Sequence, residues 1–360
     1  MRVLVVAEQL RRPVPGGIGT YVRGLVQGLA ELGDSDCTGP DVALWASRAP
    51  RGRPDPLVAL GPPVLASVLP APALVRAWDR GAIGPPGRPD VLHATSFAVP
   101  PPGAVALSVM VHDLAWRHFP DAYPVRGRRW HEAALGRAIR RARRLVVPSS
   151  TVADDLLAAG VSPDRVEVVE EGCDHLAAPD DEGADLLLAR LGVTGDFLLT
   201  VSTLEPRKNL PRLLAAFDLA RSRLPEAWPL VVVGPAGWGP ALQGGPDVLL
   251  AGPASSGVLS ALYRRARVMA YVPLREGFGL PVVEAMSCGA PVVASAVPSA
   301  GGAALEVDPF DADGIARALV EAATDEDRRA ELVDAGRARA AGLTWARAAR
   351  RHVELWTAIG

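Results

Sequence analysis

A chain of 360 residues is too long for one ordinary hydrophobic core and suits two domains. With 49% hydrophobic and 22% charged residues it is globular, and a formal net charge of -2 argues against a general nucleic-acid binder. Cys37, Cys173 and Cys288 are scattered without CxxC spacing, so neither a disulfide framework nor a zinc site is expected and a reducing cytoplasm is the default setting.

The opening run MRVLVVAEQL meets Arg11 and Arg12 too soon for a signal peptide, and Val3 to Ala7 is predicted as a buried strand. No run of about 20 apolar residues follows anywhere, so no membrane span is expected. Gly19 to Leu32 reads as a helix, with apolar Val22, Leu25, Val26 and Leu29 on one face. Val42 to Trp45, Val91 to His93, Val105 to Val111 and Leu145 to Pro148 read as further strands. Between Ala49 and Pro89 the chain is so rich in Pro, Gly and Arg that no element can be placed. A polar break at Pro179 to Gly183 is followed by a second series: strand Phe197 to Val201, helix Leu210 to Leu224, strand Leu230 to Val233, strand Val248 to Leu250. Helix Ser256 to Arg265, strand Val268 to Val272, a helix from Pro281 and strand Pro291 to Ala294 complete it. Two βα series predict an α/β chain of two Rossmann-like, doubly wound domains. Such sheets bind ligands beyond the carboxyl ends of their strands, so two facing domains would share a cleft.

Five groups of residues stand where chemistry is expected. Glu276-Gly277-Phe278-Gly279-Leu280-Pro281 is a glycine turn running into a helix, with Glu284 in its first turn. Pro suits the first helical position, the glycines allow close backbone approach, and the free amides can meet phosphate or sugar oxygens. Glu276 and Glu284 can accept bonds from sugar and ribose hydroxyls; the plainer alternative is a capped core helix with dipole-favoured glutamates. Glu205-Pro206-Arg207-Lys208-Asn209 follows a strand, and its cations suit a departing diphosphate. Lys208 is the single lysine of the chain. A solvated basic turn is the alternative.

Gly16-Gly17-Ile18-Gly19-Thr20 precedes a helix but lies about ten residues beyond its strand, too far for a dinucleotide fingerprint. It is either a ligand-facing glycine loop or a plain connection. His112 and Asp113 close one predicted strand and His93 another, so all three are candidates to line a cleft; a lone histidine can equally be structural. Arg126 to Arg144 contains eight arginines and one glutamate, predicting either a basic helix facing anionic lipid at the inner membrane face or a solvated helix.

The segments Glu276 to Glu284 and Arg207-Lys208 together resemble the pattern of glycosyltransferase family 4, whose members have the GT-B fold. The resemblance covers most of the chain and is densest from Val201 to Ala294. It implies an acceptor domain over 1–180, a nucleotide-sugar donor domain over 181–344, and a last helix over 345–360 crossing back to the first domain. It implies that Glu276 to Glu284 hold the donor sugar and ribose, Arg207 and Lys208 the diphosphate, and Gly17 and Gly19 the donor phosphates and the acceptor. His112 resembles the family's active-site histidine, which contacts the donor sugar. Ser202 and Thr203 stand where some members carry a further arginine, leaving two cations for the leaving group.

The implied reaction is retaining transfer of a hexose to a glycan or lipid-linked acceptor. Val111-His-Asp-Leu-Ala-Trp and Phe119-Pro-Asp-Ala-Tyr-Pro look like mannosyltransferase-type members, so GDP-mannose is the favoured donor and UDP-sugars the alternative. No metal or cofactor is expected: Asp34-Ser-Asp36 and Asp311-Ala-Asp313 are taken as turn or cap residues. The stretch Ser295 to Pro309 is shorter than the family's pattern, which keeps a nucleotide-binding scaffold open as a rival beside a nucleotide-sugar 2-epimerase. On the resemblance, Glu276→Ala abolishes transfer and leaves the fold intact.

Overall fold

The structure is a computed structural model that describes residues 1–36, 39–52, 54–238, 242–245 and 247–360, with backbone alone at 34–36. Cys37 lies outside them. The chain divides into two compact units, Met1–His175 with Thr344–Gly360, and Leu176–Leu343.

The first unit is built on β1 (Arg2–Val6), β2 (Asp41–Ala46), β3 (Val64–Ala66), β4 (Val91–Ala94), β5 (Ala106–Met110), β6 (Arg144–Val147) and β7 (Val166–Val168). They form one parallel sheet in the order β3-β2-β1-β4-β5-β6-β7. Its helices are α1 (Gly16–Asp36), α2 (Ala71–Asp79), α3 (Ala115–His118), α4 (Val125–Arg141) and α5 (Ser150–Ala158). Strands such as β4 are buried along their whole length, as helices on both faces require. The Pro-rich region holds β3 and α2, whose Leu74 and Trp78 reach the core.

The second unit runs α6 (Asp181–Leu191), β8 (Leu198–Val201), α7 (Leu210–Arg221), β9 (Leu230–Val233), β10 (Val248–Gly252), α8 (Ser256–Arg265) and β11 (Val268–Tyr271). It continues through α9 (Leu280–Ser287), β12 (Val292–Ala294), β13 (Leu305–Glu306), α10 (Ala312–Thr324) and α11 (Glu326–Ala341). Its parallel sheet has the order β10-β9-β8-β11-β12-β13. Asp311 caps α10 by accepting from Gly314 N at 2.9 Å, a use that needs no metal. Asp34 and Asp36 fall where only backbone is described.

Helix α12 (Trp345–Ile359) belongs to the first unit and packs on α1. Gly24 and Gly28 make room for it: a Cβ on Gly24 would stand 2.0 Å from the Trp345 ring, and one on Gly28 2.2 Å from the Trp345 carbonyl. Where the chain leaves and re-enters this unit, the two passes are fastened together. Asp174 accepts from Trp345 N at 2.8 Å, and Trp345 Nε1 donates to His175 Nδ1 at 3.1 Å.

A buried polar seam runs beneath this contact. His352 Nδ1 lies 2.8 Å from the Ala348 carbonyl, which can only accept, so His352 Nε2 accepts from the Tyr21 hydroxyl at 2.8 Å. His93 Nε2 then donates to Tyr21 at 2.9 Å, and Ser108 donates to His93 Nδ1 at 2.8 Å while accepting from Trp356 Nε1 at 3.0 Å. The strand-end position of His93 predicts a residue lining a cleft. It is instead 0% exposed, because its side chain points to the sheet face beside its register partner Ser108.

Candidate active site

Strands β8 and β11 are neighbours in the second sheet, and the segments leaving their carboxyl ends converge. After β8, Pro206–Lys208 form a single tight turn ended by Asn209 at φ 58°. Asn tolerates that left-handed backbone, and its side-chain amide donates to the carbonyls of Val272 and Pro309 at 3.1 and 2.8 Å. Leu274 N donates to the Arg207 carbonyl at 2.9 Å. The basic turn is therefore stapled to the chain that carries Glu276.

Glu276 Oε1 is the hub of the cluster. It accepts from Arg207 Nη1 at 2.6 Å, Lys208 Nζ at 2.6 Å and the Tyr271 hydroxyl at 3.0 Å. Lys208 Nζ also donates to Tyr271 at 2.7 Å, and Arg207 Nη2 donates to Glu205 at 2.8 Å. All four charged side chains are at most 12% exposed, so their attraction is little screened. Burial alone would raise the Glu276 carboxyl, but Arg207 and then Lys208 hold it below its ordinary value. Burial pulls the Lys208 ammonium down, and Glu276 opposes this only in part. Burial and then Glu276 push the Tyr271 phenol well up, keeping it a donor.

Beyond Glu276, Gly279 takes φ 98° and opens α9; Pro281 has no N–H and Val282 N donates to the Gly279 carbonyl at 3.0 Å, so Leu280 N is the first-turn amide with no partner inside the helix. Glu284 lies one turn in, buried, and accepts from the Tyr263 hydroxyl at 2.9 Å. The stretch after β12 docks on this turn: Ser299 Oγ donates to the Gly279 carbonyl at 2.9 Å and Ser299 N to the Phe278 carbonyl at 3.0 Å.

Arg207, Lys208, Glu276, Gly277, Phe278, Gly279, Leu280 and Glu284 are thus gathered in the second unit. Gly17, Gly19, His112 and Asp113 belong to the first. Helix α1 starts earlier than the pattern predicts, so Gly17 as well as Gly19 sits inside its first turn. His112 follows β5, with Nε2 3.0 Å from the Thr95 carbonyl and Nδ1 3.3 Å from Glu171. Asp113 accepts from Ala115 N at 3.0 Å and starts α3. Glu205, Tyr271, Tyr263 and Glu171 join these residues as partners that the sequence motifs do not mark. In the basic stretch, Arg137 pairs with Asp79, Arg141 donates to the Trp78 and Val99 carbonyls, and Arg143 donates to that of Ile359, leaving Arg126, Arg129 and Arg140 exposed toward solvent. Among the described residues no His, Cys, Asp and Glu side chains cluster as metal ligands, and no helix is long and apolar enough to cross a membrane.

Residues 190–339 match the family of glycosyl transferases group 1, and residues 15–175 match glycosyltransferase family 4. A D-inositol 3-phosphate glycosyltransferase of Catenulispora acidiphila is 30% identical over 390 positions, spanning 95% of this chain and 90% of that protein. The chain belongs to glycosyltransferase family 4. The O-antigen chain mannosyltransferase B of Escherichia coli is 28% identical over 276 residues, 71% of each chain. In fold, the transferase matches Anabaena HepE in complex with UDP and glucose with a TM-score of 0.73 at 18% identity, over 99% of this chain and 100% of that one. It matches sucrose-phosphate synthase from Thermosynechococcus elongatus with a TM-score of 0.70 at 19% identity, over 99% and 98%. The two parallel-sheet units are those of the GT-B fold.

Gly279 of the transferase admits no side chain. A Cβ there would stand 2.1 Å from Val297 Cγ1, in a backbone region that L residues avoid. Gly279→Ala is expected to lower stability by about 2–4 kcal/mol through strain and overpacking. It should also push the Val297–Ser299 loop off the start of α9. Thermal melting checks the first effect and donor titration the second; a wild-type melting temperature would show that the loop yields freely.

Proposed function

We propose that the transferase moves a hexose, mannose in preference, from a nucleoside diphosphate sugar to a glycan or lipid-linked acceptor with retention at the anomeric carbon. The observation that carries this is the Arg207–Lys208–Glu276 cluster at the carboxyl ends of β8 and β11, beside the start of α9. Negative charge grows on the diphosphate as its bond to the sugar breaks. Donors fixed in a dry site stabilise such charge without reorganising. Both cations are held in place beforehand by Glu276 and Glu205, so a diphosphate meets oriented donors. The acceptor hydroxyl attacks from the side the diphosphate leaves, and its proton passes to a leaving oxygen. Glu276 and His112 orient the sugar, and no protein nucleophile is required.

Likeness to the Escherichia coli O-antigen mannosyltransferase supports mannose as the sugar, with GDP-mannose the favoured donor; the fold shared with HepE, crystallised with UDP and glucose, makes UDP-sugars the competing donors. A thermal-shift panel of GDP, UDP, ADP and their sugar conjugates on wild type and Lys208→Ala tests both points. A ligand at about 100 times its Kd adds roughly 2.7 kcal/mol. Stabilisation by one nucleotide family, weakened in Lys208→Ala, is the expected result. Equal shifts in the two proteins would remove Lys208 from the donor site.

A further inference from the structure

We infer that Glu171 is a positioning residue for His112: its carboxylate and the Thr95 carbonyl each take one ring N–H, so the ring is a fixed double donor and not a base. The inference rests on His112 being the histidine that meets substrate in the proposed transfer.

His112 follows β5, Thr95 follows β4, and Glu171 lies beyond the end of β7, so three strand ends meet at this ring. Nε2 stands 3.0 Å from the Thr95 carbonyl and Nδ1 3.3 Å from Glu171 Oε1. A carbonyl and an ionised carboxylate can only accept, so the two contacts are satisfied together when both ring nitrogens carry hydrogen and the imidazole is charged. The partners are themselves fixed. The Thr95 hydroxyl donates to the Val6 carbonyl at 2.6 Å, and Glu171 is 4% exposed on the segment whose next residue, Gly172, leaves no room for a Cβ against Trp345.

Three other groups face the ring or share its field. Tyr21 of α1 lies edge-on at 5.1 Å and Asp113 precedes α3. His93 of β4 is pushed well below its ordinary value by burial, then by His352 and His112, and stays neutral. Burial alone would lower His112, but the Glu171 hydrogen bond and charge, with the Thr95 carbonyl and Asp113 behind them, raise it above its ordinary value.

The chemical consequence concerns direction. A doubly protonated ring cannot take the acceptor's proton, which leaves the departing diphosphate as the proton's destination. It can share Nε2–H between the Thr95 carbonyl and a sugar oxygen while Nδ1–H stays on Glu171. The oxygen bound there is therefore an acceptor of that bond.

The test is imidazole 15N NMR over pH on the full chain, with the His112 signals identified by their loss in His112→Gln. In wild type both nitrogens of His112 should be protonated at neutral pH. In Glu171→Gln the midpoint should fall by about 1–3 pH units, as loss of an adjacent opposite charge does. Transfer by Glu171→Gln should then be about tenfold slower at alkaline pH and recover toward wild type as the pH is lowered, with donor KM little changed. Glu171→Asp, which keeps the charge, should hold the midpoint near wild type, and it carries the test if Glu171→Gln does not fold. Identical His112 titration in wild type and variant, or a rate loss equal at every pH, would overturn the assignment. If wild type transfers no sugar yet His112 shifts between the proteins, the transfer reading fails and the role of Glu171 stands.

Discussion

Glu276→Ala is expected to slow sugar transfer by about 10²–10³-fold or more and to lower the melting temperature at the same time. The second effect follows from the geometry. Arg207, Lys208 and Tyr271 all donate to one Glu276 oxygen, and its removal takes from two buried cations the carboxylate they share. Breaking a buried ion pair on one side costs about 3–5 kcal/mol, several degrees or more in a unit of this size. An intact fold, which the turn motif alone suggests for this variant, is therefore not the expected result. Glu276→Gln keeps the shape and one acceptor oxygen, so it should lose activity with a smaller loss of stability. Scanning calorimetry and initial rates on both variants check this; a Glu276→Ala melting curve that overlays wild type would show that the cations do not depend on the carboxylate.

Acid is expected to loosen the first unit before it touches the carboxylates of the second. His352 is pushed down to about 4 by burial, from an ordinary 6.5. A histidine with a lowered folded pKa binds its proton more readily when unfolded. Its stabilisation is complete above about 6.5 and falls as pH drops toward 4. For His352 alone the loss is about 2 kcal/mol at pH 5, and His93 acts in the same direction. The seam explains the sensitivity: Tyr21 has one hydroxyl proton, given to His352, and a further proton on His352 Nε2 leaves two donors facing each other. His112 works the other way, since its raised value adds stability that is full at acid pH and lost as pH rises through the folded pKa. Melting temperature against pH in wild type and His352→Gln should show a shallower acid limb in the variant. Equal limbs would place the acid sensitivity outside this seam.

Much of the architecture is legible because parallel strands buried on both faces make short apolar runs with sharp ends. Leu230 to Val233 and Ser256 to Arg265 are found where the pattern puts them. Between Ala49 and Pro89 the signal fails for a physical reason: β3 is a short edge strand with mostly exposed residues, and α2 buries only Leu74 and Trp78. The Arg207–Lys208 and Glu276–Glu284 groups are legible because each is a continuous turn. Tyr271 is not, since it reads as one more core residue of β11 until the neighbouring β8 brings Lys208 to its hydroxyl. Glu171 is hidden for the same reason, its partner lying 59 residues earlier on another strand end. His93 misleads because a strand-end position says nothing about which sheet face the side chain takes.

The fastening of Asp174 and His175 to Trp345 has a bearing on how the chain is assembled during synthesis. The second unit is one unbroken stretch, Leu176–Leu343, set inside the first. Its interior can close as soon as that stretch has left the ribosome. The first unit starts earlier but lacks the helix that covers Tyr21 and His93 until residues 344–360 have been made. The later-made half can thus finish first, reversing the usual amino-to-carboxyl order of domain completion.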